Sequence, residues 1–158
     1  MGNHKNKIII ILSWTVVLLW LVLIFYFSSQ PAVESDRLSK KVTQVIIENV
    51  GRLVPLDIES STTTDLVSKF NRIVRKFAHF GIYFVLGILV MNGFRASGIR
   101  DFRAFIFSLI FCILYAASDE VHQIFVPGRG AQVLDVLIDS LGAFVGIGIY
   151  KLVEKIVL

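Results

Sequence analysis

The sequence contains few charged residues and almost no cysteine, and both shortages restrict the kind of protein it encodes. Asp, Glu, Lys and Arg make up 18% of the 158 residues, whereas ordinary soluble domains contain about 25%. Cysteine occurs once, at Cys112 within an apolar run, so an internal disulfide is excluded and the redox compartment cannot be inferred. Cys112 is expected to pack as a small apolar side chain.

Apolar residues are abundant instead, at 55% of the chain, and the mean hydropathy is +0.73. A chain this short cannot enclose several fully apolar helices within its own surface, so lipid is the expected surrounding. The net charge is +4, and the basic residues flank apolar segments, as membrane topology requires. Membrane lipids, with anionic head groups among them, are therefore the predicted partner, and nucleic acid is not.

Four apolar segments are long enough to span a bilayer, at about 8–27, 77–94, 102–118 and 133–153. The first is longer than the hydrophobic part of a signal peptide, which has roughly 7–15 residues. It is followed by Ser28-Ser29-Gln30-Pro31, which is a poor cleavage site, so we expect an uncleaved helix. The predicted fold is all-α, with about four transmembrane helices in a single domain over 1–158.

A polar connection over 28–76 separates the first two predicted spans and contains two apolar stripes at helical spacing. The first stripe follows a cap at Ser35 or Asp36 and stops before Gly51 and Pro55. The second follows a predicted loop over 60–64 and leads into the second span. Its basic residues, Lys69, Arg72 and Lys76, share the opposite face. One or two amphipathic helices are therefore predicted, either in the membrane interface or packed on the protein.

The distribution of Lys and Arg predicts that both termini are cytoplasmic. Basic residues occur in the N-terminal segment, in the loop after the second span and in the C-terminal tail, and four spans place all three on one side. The long connection is also basic, but it contains acidic residues as well, and its length reduces its influence on orientation.

Antiparallel packing of the spans would bring the ionisable residues together at the opposite, outer face. A charge inside a span costs about 2.5–3.5 kcal/mol, so such side chains usually face the bundle interior and have partners. The alternative is that they are interfacial charges at helix ends, with a structural role. The predicted binding residues are Lys76, His79, Tyr83, Asp119, Glu120, His122, Gln123, Arg129, Asp135 and Asp139.

Two glycine-containing motifs accompany this cluster. The segment Val126-Pro127-Gly128-Arg129-Gly130 is typical of a turn, since proline fixes φ and glycine permits positive φ. Such a turn would hold Arg129 between the last two spans, where its guanidinium is suited to phosphate or carboxylate. Gly142 and Gly146 form a G-x-x-x-G motif, which favours close helix packing.

At these residues the sequence resembles the VanZ-like family, which is named for a protein associated with teicoplanin resistance. The matching pieces are FSSQ at 27–30, RKFAHF at 75–80 with Tyr83, SDEVHQ at 118–123 followed by FVPGR at 125–129, DV at 135–136, and DSLG at 139–142. The sequence departs from the family pattern near Asp139 and Ser140, where many members have Asn. An acid at this position puts in doubt any role that requires a neutral amide.

The resemblance implies a small multi-pass protein of the bacterial plasma membrane and cell envelope. For some members it implies reduced susceptibility to glycopeptide or lipoglycopeptide antibiotics. It implies no established reaction, and the cofactor stays unknown.

The first functional hypothesis is a non-enzymatic protein whose polar cluster binds an amphiphile or lipid head group. Lys76 and Arg129 would engage the anion, and the acyl part would lie in lipid. A lipoglycopeptide or a lipid-linked envelope precursor would fit this description.

The second hypothesis is a membrane enzyme acting on a lipid-linked envelope substrate. His79 or His122 would be the general base, oriented by a neighbouring carboxylate. The carboxylate candidates are Asp119, Glu120 and Asp135. The same groups could hold a divalent metal, but no recognised metal-ligand spacing is present, so no metal site is predicted.

The third hypothesis is a small proton-coupled transporter or accessory subunit that uses Asp135 and Asp139 as relay sites. Four spans make a small transporter, so this hypothesis requires a homodimer.

Overall fold

The computed structural model describes residues 2–33, 37, 60–99 and 101–157. These residues form four helices and no strand: α1 Gly2–Ser28, α2 Ser60–Ala96, α3 Asp101–Gln123 and α4 Val133–Val157. Each helix contains a segment long and apolar enough to cross a membrane, namely Asn6–Ser28, Ile73–Ala96, Phe102–Gln123 and Val133–Ile156. The prediction of an all-α membrane protein with four spans is confirmed.

The second span differs from the predicted arrangement, because the preceding apolar stripe is continuous with it. Both belong to α2, a single helix of 37 residues. The predicted loop over 60–64 forms the start of this helix, and the span begins at Ile73 instead of residue 77. No proline and no glycine occurs between residues 60 and 80 to interrupt the helix. The other predicted amphipathic helix, with its Ser35 or Asp36 cap, lies outside the described residues.

The four helices run alternately up and down, as contacts between them show. Trp20 Nε1 of α1 donates a 3.0 Å hydrogen bond to the Ile82 carbonyl of α2, so these helices are antiparallel neighbours. The Tyr115 hydroxyl of α3 donates a 2.7 Å bond to the Leu21 carbonyl of α1. At the end of the bundle where α2 and α4 finish, Arg95 and Glu154 form an ion pair between these two parallel helices.

The most extensive interface joins α2 and α4, and glycine makes it possible. A Cβ atom at Gly142 would overlap the Phe80 carbonyl, and one at Gly146 would overlap the Phe84 carbonyl. Gly87 approaches the backbone of Ala143 in the same way from the other helix. The close packing predicted from the G-x-x-x-G motif is therefore confirmed, and it fixes the register of α2 against α4.

The outer surface of the bundle is apolar, and the core that the helices enclose is small. Leu18, Leu19 and Val22 of α1 are at least 60% exposed. In water this much exposed apolar surface would be costly, whereas lipid solvates it. Cys112 is fully buried, as predicted. The larger cluster of the described core consists of Val17, Ile24, Tyr83, Leu86, Val90, Cys112, Ala116 and Ala143, and a second cluster consists of Met91, Ala104 and Ile147.

Candidate functional site

Polar residues converge at one end of the bundle, where α1 and α3 end, α4 begins and α2 enters its span. Alternating helix directions bring these segments together although they are far apart in the sequence. The structure places all of the predicted binding residues at this end, with Tyr83 one turn deeper in α2. They form three groups, which are distinguished by the helices that they connect.

The first group connects α2 and α4 through two side-chain pairs, one between a lysine and a carboxylate and one between a histidine and a carboxylate. Lys76 Nζ lies 3.9 Å from Asp135 Oδ1, and His79 Nδ1 lies 3.5 Å from Asp139 Oδ1. Residues 76 and 79 are one turn apart on α2, as are residues 135 and 139 on α4. The parallel packing of the two helices therefore aligns the pairs. Asp139 is fully buried, and both distances are longer than the 2.7–2.9 Å of a strong charged hydrogen bond.

The second group connects the ends of α1 and α3. Gln123 Nε2 donates to Ser28 Oγ at 3.1 Å and lies 3.4 Å from Asp119 Oδ2. Asp119 and Gln123 are i,i+4 on α3, so one face of the helix presents both side chains to α1. All three residues are at most 5% exposed.

The third group is the turn between α3 and α4. Gly128 has φ of +75°, as the turn prediction requires. The Arg129 guanidinium donates to the Phe27 carbonyl at 3.4 Å, and the Ala32 amide donates to the Pro127 carbonyl at 3.2 Å. The turn is thereby attached to the segment that follows α1.

Glu120 fixes the end of this turn. It is 3% exposed, and its Oε2 accepts a 2.8 Å hydrogen bond from the Gln132 amide just before α4 begins. Glu120 lies on the side of α3 that faces the turn, so this hydrogen bond gives it a structural role. Among the described residues, Glu120 does not line either of the two cavities described next.

Two adjoining cavities, here called the polar cavity, open among these groups. The larger has a volume of about 420 Å³ and the smaller about 70 Å³. Both are lined by Arg75, His79, Gln132 and Asp135. Lys76 lines only the larger, whereas Gln123, Gly128, Arg129 and Gly130 line only the smaller.

Five of the ten predicted binding residues line neither of these two cavities: Tyr83, Asp119, Glu120, His122 and Asp139. The ring of His122 lies against that of Phe25 on α1, with centroids 4.6 Å apart and planes inclined by 34°. Tyr83 is 1% exposed and belongs to the core. Of the two histidines proposed as general bases, His79 therefore lies at the polar cavity, and His122 packs at the junction of α1 and α3.

Several buried polar atoms of the cluster have no hydrogen-bond partner among the described residues. They include Asp119 Oδ1, Glu120 Oε1, Asp135 Oδ1 and both carboxylate oxygens of Asp139. Burying polar groups without full hydrogen bonding reduces the stability of the folded state. Such groups are uncommon in proteins and often coincide with functional sites.

Three residues at this end were not among the predicted site residues. Arg75 and Gln132 line both cavities, and Ser28 contacts Gln123. Ser28 and Arg75 both belong to the motifs that carry the family resemblance, so those motifs contained a signal for them. Gln132 lies between motifs, and its position depends on the geometry of the turn.

The described residues contain no group of three His, Cys, Asp or Glu side chains close enough to hold a metal ion.

Comparison with known proteins connects this arrangement to one family. The sequence model of the family described as VanZ/LLP1 matches residues 13–154, nearly the whole chain. No curated protein and no solved structure matches the chain. The matched range includes all three polar groups, of which the third is the turn that joins α3 to α4.

Proposed function

The chain belongs to the VanZ/LLP1 family, and on that premise we propose that it binds the anionic head group of an amphiphile in the polar cavity. The observation that carries this proposal is the cavity itself, a polar space of about 420 Å³ at one end of an otherwise apolar bundle. Pockets for small ligands commonly have volumes of about 300–1,000 Å³.

The charges of the lining favour an anion. The described lining contains one carboxylate, that of Asp135, and three cationic side chains, those of Arg75, Lys76 and Arg129. A guanidinium has five N–H donors in a planar fork, so Arg129 can hold the Phe27 carbonyl and an anion at the same time. Phosphate and carboxylate are the anions that this fork matches best.

The surroundings of the cavity suit the apolar part of such a ligand. Phe77 directly follows Lys76 and is 72% exposed, and Val133 directly follows Gln132 and is 79% exposed. An acyl chain can therefore remain in lipid while its head group enters the cavity, so only the polar part of the ligand has to leave water.

The proposed location is the bacterial plasma membrane, with both termini in the cytoplasm and the polar cavity at the outer face. The distribution of basic residues supports this orientation. In this position the protein would capture a lipoglycopeptide or an envelope lipid at the outer leaflet and reduce susceptibility to glycopeptide antibiotics. The family name, which refers to teicoplanin resistance, supports this phenotype.

The test compares two charge-removing variants in a teicoplanin-sensitive bacterium, with protein levels in the membrane measured in parallel. Lys76→Gln and Arg129→Gln should reduce protection against teicoplanin. The purified variants should also bind phosphatidylglycerol more weakly, by about tenfold for each lost charged contact.

Matched controls come from the other end of the bundle. Lys155→Gln and Arg103→Gln remove exposed cations there, so both should retain protection and lipid affinity. Equal behaviour of all four variants would contradict the proposal.

A second candidate function, a membrane enzyme, is supported by the pairing of His79 with Asp139. The histidine lies between the cavity and a fully buried carboxylate. A carboxylate behind a histidine can orient the ring and stabilise its protonated form during proton transfer. His79 could then take a proton from a hydroxyl group or water next to a bound head group.

His79→Gln separates the two functions. An enzyme would lose turnover of a lipid-linked phosphodiester while retaining affinity for it, whereas a binding protein would show no turnover before or after the substitution. Mass spectrometry of lipids extracted from vesicles containing the purified protein measures that turnover.

A further inference from the structure

Among the described lining residues, Asp135 is the one that a purely anionic ligand does not explain. Its carboxylate lines both cavities next to three cationic side chains. A negative charge at this place weakens the attraction of an anion. A site selected only for phosphate or carboxylate would be expected to lack it.

The pair formed by Lys76 and Asp135 is wider than a hydrogen-bonded ion pair. The two charged atoms are 3.9 Å apart, and Asp135 Oδ1 has no hydrogen-bond partner among the described residues. A closed ion pair would have a separation of about 2.7–2.9 Å. The ammonium group of Lys76 and the carboxylate of Asp135 can therefore each bind a ligand group of the opposite charge.

The position of Asp135 in α4 explains why an acid is tolerated there, but it does not explain the orientation of the carboxylate. An acid in the first turn of a helix is stabilised by the helix dipole, and Asp135 occupies that turn. The dipole acts equally on an acid that points into solvent or lipid. It does not account for a carboxylate that lies next to Lys76 in the wall of a cavity.

We infer that the ligand of the polar cavity is zwitterionic, an amphiphile whose head group carries a phosphate and a primary ammonium group. This inference rests on the proposed function. The phosphate is bound by Lys76 with the two arginines, and the ammonium group donates to Asp135. A two-carbon separation between the two ligand groups fits adjacent protein charges of opposite sign.

The experiment measures binding of three phospholipids with identical acyl chains to the purified full-length protein by native mass spectrometry. Phosphatidylethanolamine carries the phosphate and the primary ammonium group. Phosphatidylglycerol lacks the cation, and phosphatidylcholine has a quaternary nitrogen without an N–H donor. We expect phosphatidylethanolamine to bind about tenfold more tightly than either, because only it forms a charged hydrogen bond with Asp135.

Variants of Asp135 assign the selectivity to this residue. Asp135→Asn should bring the affinities for phosphatidylethanolamine and phosphatidylglycerol to within about twofold of each other, whereas Asp135→Glu, which keeps the charge, should retain the preference. Equal binding of all three lipids by the native protein would overturn the inference, whatever the variants do, and so would a preference that survives in Asp135→Asn.

Failure of this inference is distinguishable from failure of the proposed function. If the native protein binds the three lipids equally and Lys76→Gln weakens all of them, the cavity binds anions but does not recognise the ammonium group. If Lys76→Gln weakens none of them, the polar cavity is not the head-group site and both proposals are wrong.

Discussion

His79 on α2 and Asp139 on α4 face each other at 3.5 Å, one turn from the place where the Phe80 carbonyl lies against Gly142. The His79–Asp139 pair and the close backbone contact belong to the same interface. Because glycine lets the helices approach, the two side chains can reach each other without solvent between them. The packing motif and the polar cluster are therefore parts of one structural unit.

The His79–Asp139 pair should show energetic coupling. We expect His79→Gln and Asp139→Asn each to lower the free energy of unfolding, because each leaves a buried polar partner without its counterpart. The double variant should lose less unfolding free energy than the two single variants lose together. The difference, which is the coupling energy of the pair, should be about 0.5–3 kcal/mol. Denaturation of the purified variants in detergent measures this difference, and strictly additive losses would show that the two side chains do not interact.

Gly146→Ala should destabilise the bundle. The added methyl group would overlap the Phe84 carbonyl, so α2 and α4 must separate, at a cost of about 1–3 kcal/mol. Gly148→Ala is the matched control, since nothing lies within 4 Å of its added Cβ and alanine favours a helix by up to about 1 kcal/mol. Thermal unfolding in detergent compares the two, and similar melting temperatures would contradict the close approach.

The two histidines should respond differently to replacement by phenylalanine. His122 stacks on Phe25, so His122→Phe keeps an aromatic ring there and should retain lipid binding. His79→Phe introduces an apolar ring into a polar wall next to a buried carboxylate, and it should weaken binding. Affinity for phosphatidylethanolamine, measured for both variants, tests this. A stronger effect at position 122 would mean that the wrong histidine has been placed at the cavity.

The ion pair at the other end of the bundle should matter for stability alone. Arg95 and Glu154 are each about one-fifth exposed, and pairs that retain solvent contact contribute about 0–1 kcal/mol. Glu154→Gln should therefore reduce the free energy of unfolding by no more than about 1 kcal/mol and leave lipid affinity unchanged. Loss of lipid binding in this variant would mean that the two ends of the bundle are coupled.

The spans were predictable from the sequence because hydropathy is a local property. An apolar run of about 17–25 residues is long enough to span a bilayer whatever its neighbours are. The continuity of α2 was harder to predict, since a polar Ser/Thr run next to an amphipathic stripe is compatible with a loop and with a helix. The absence of proline and glycine in that stretch was the signal that favoured the helix.

The cluster of polar residues was predictable as a set, because the order of the spans alone determines which helix ends meet. The orientation of individual side chains was not. His122 and Gln123 are neighbours on α3, yet one faces Phe25 and the other faces the cavity. That difference depends on the rotation of α3 against α1, which arises from packing between distant segments.

The membrane arrangement of the polar cavity is tested most directly by labelling single cysteines, in a Cys112→Ser background, with a thiol reagent that cannot cross the membrane. Cysteines at Lys76 and Gln132 should react when the reagent is added outside intact cells, and a cysteine at Ser97 should react only after the cells are opened. Reaction of positions 76 and 132 from opposite sides would contradict the shared cavity of α2 and α4.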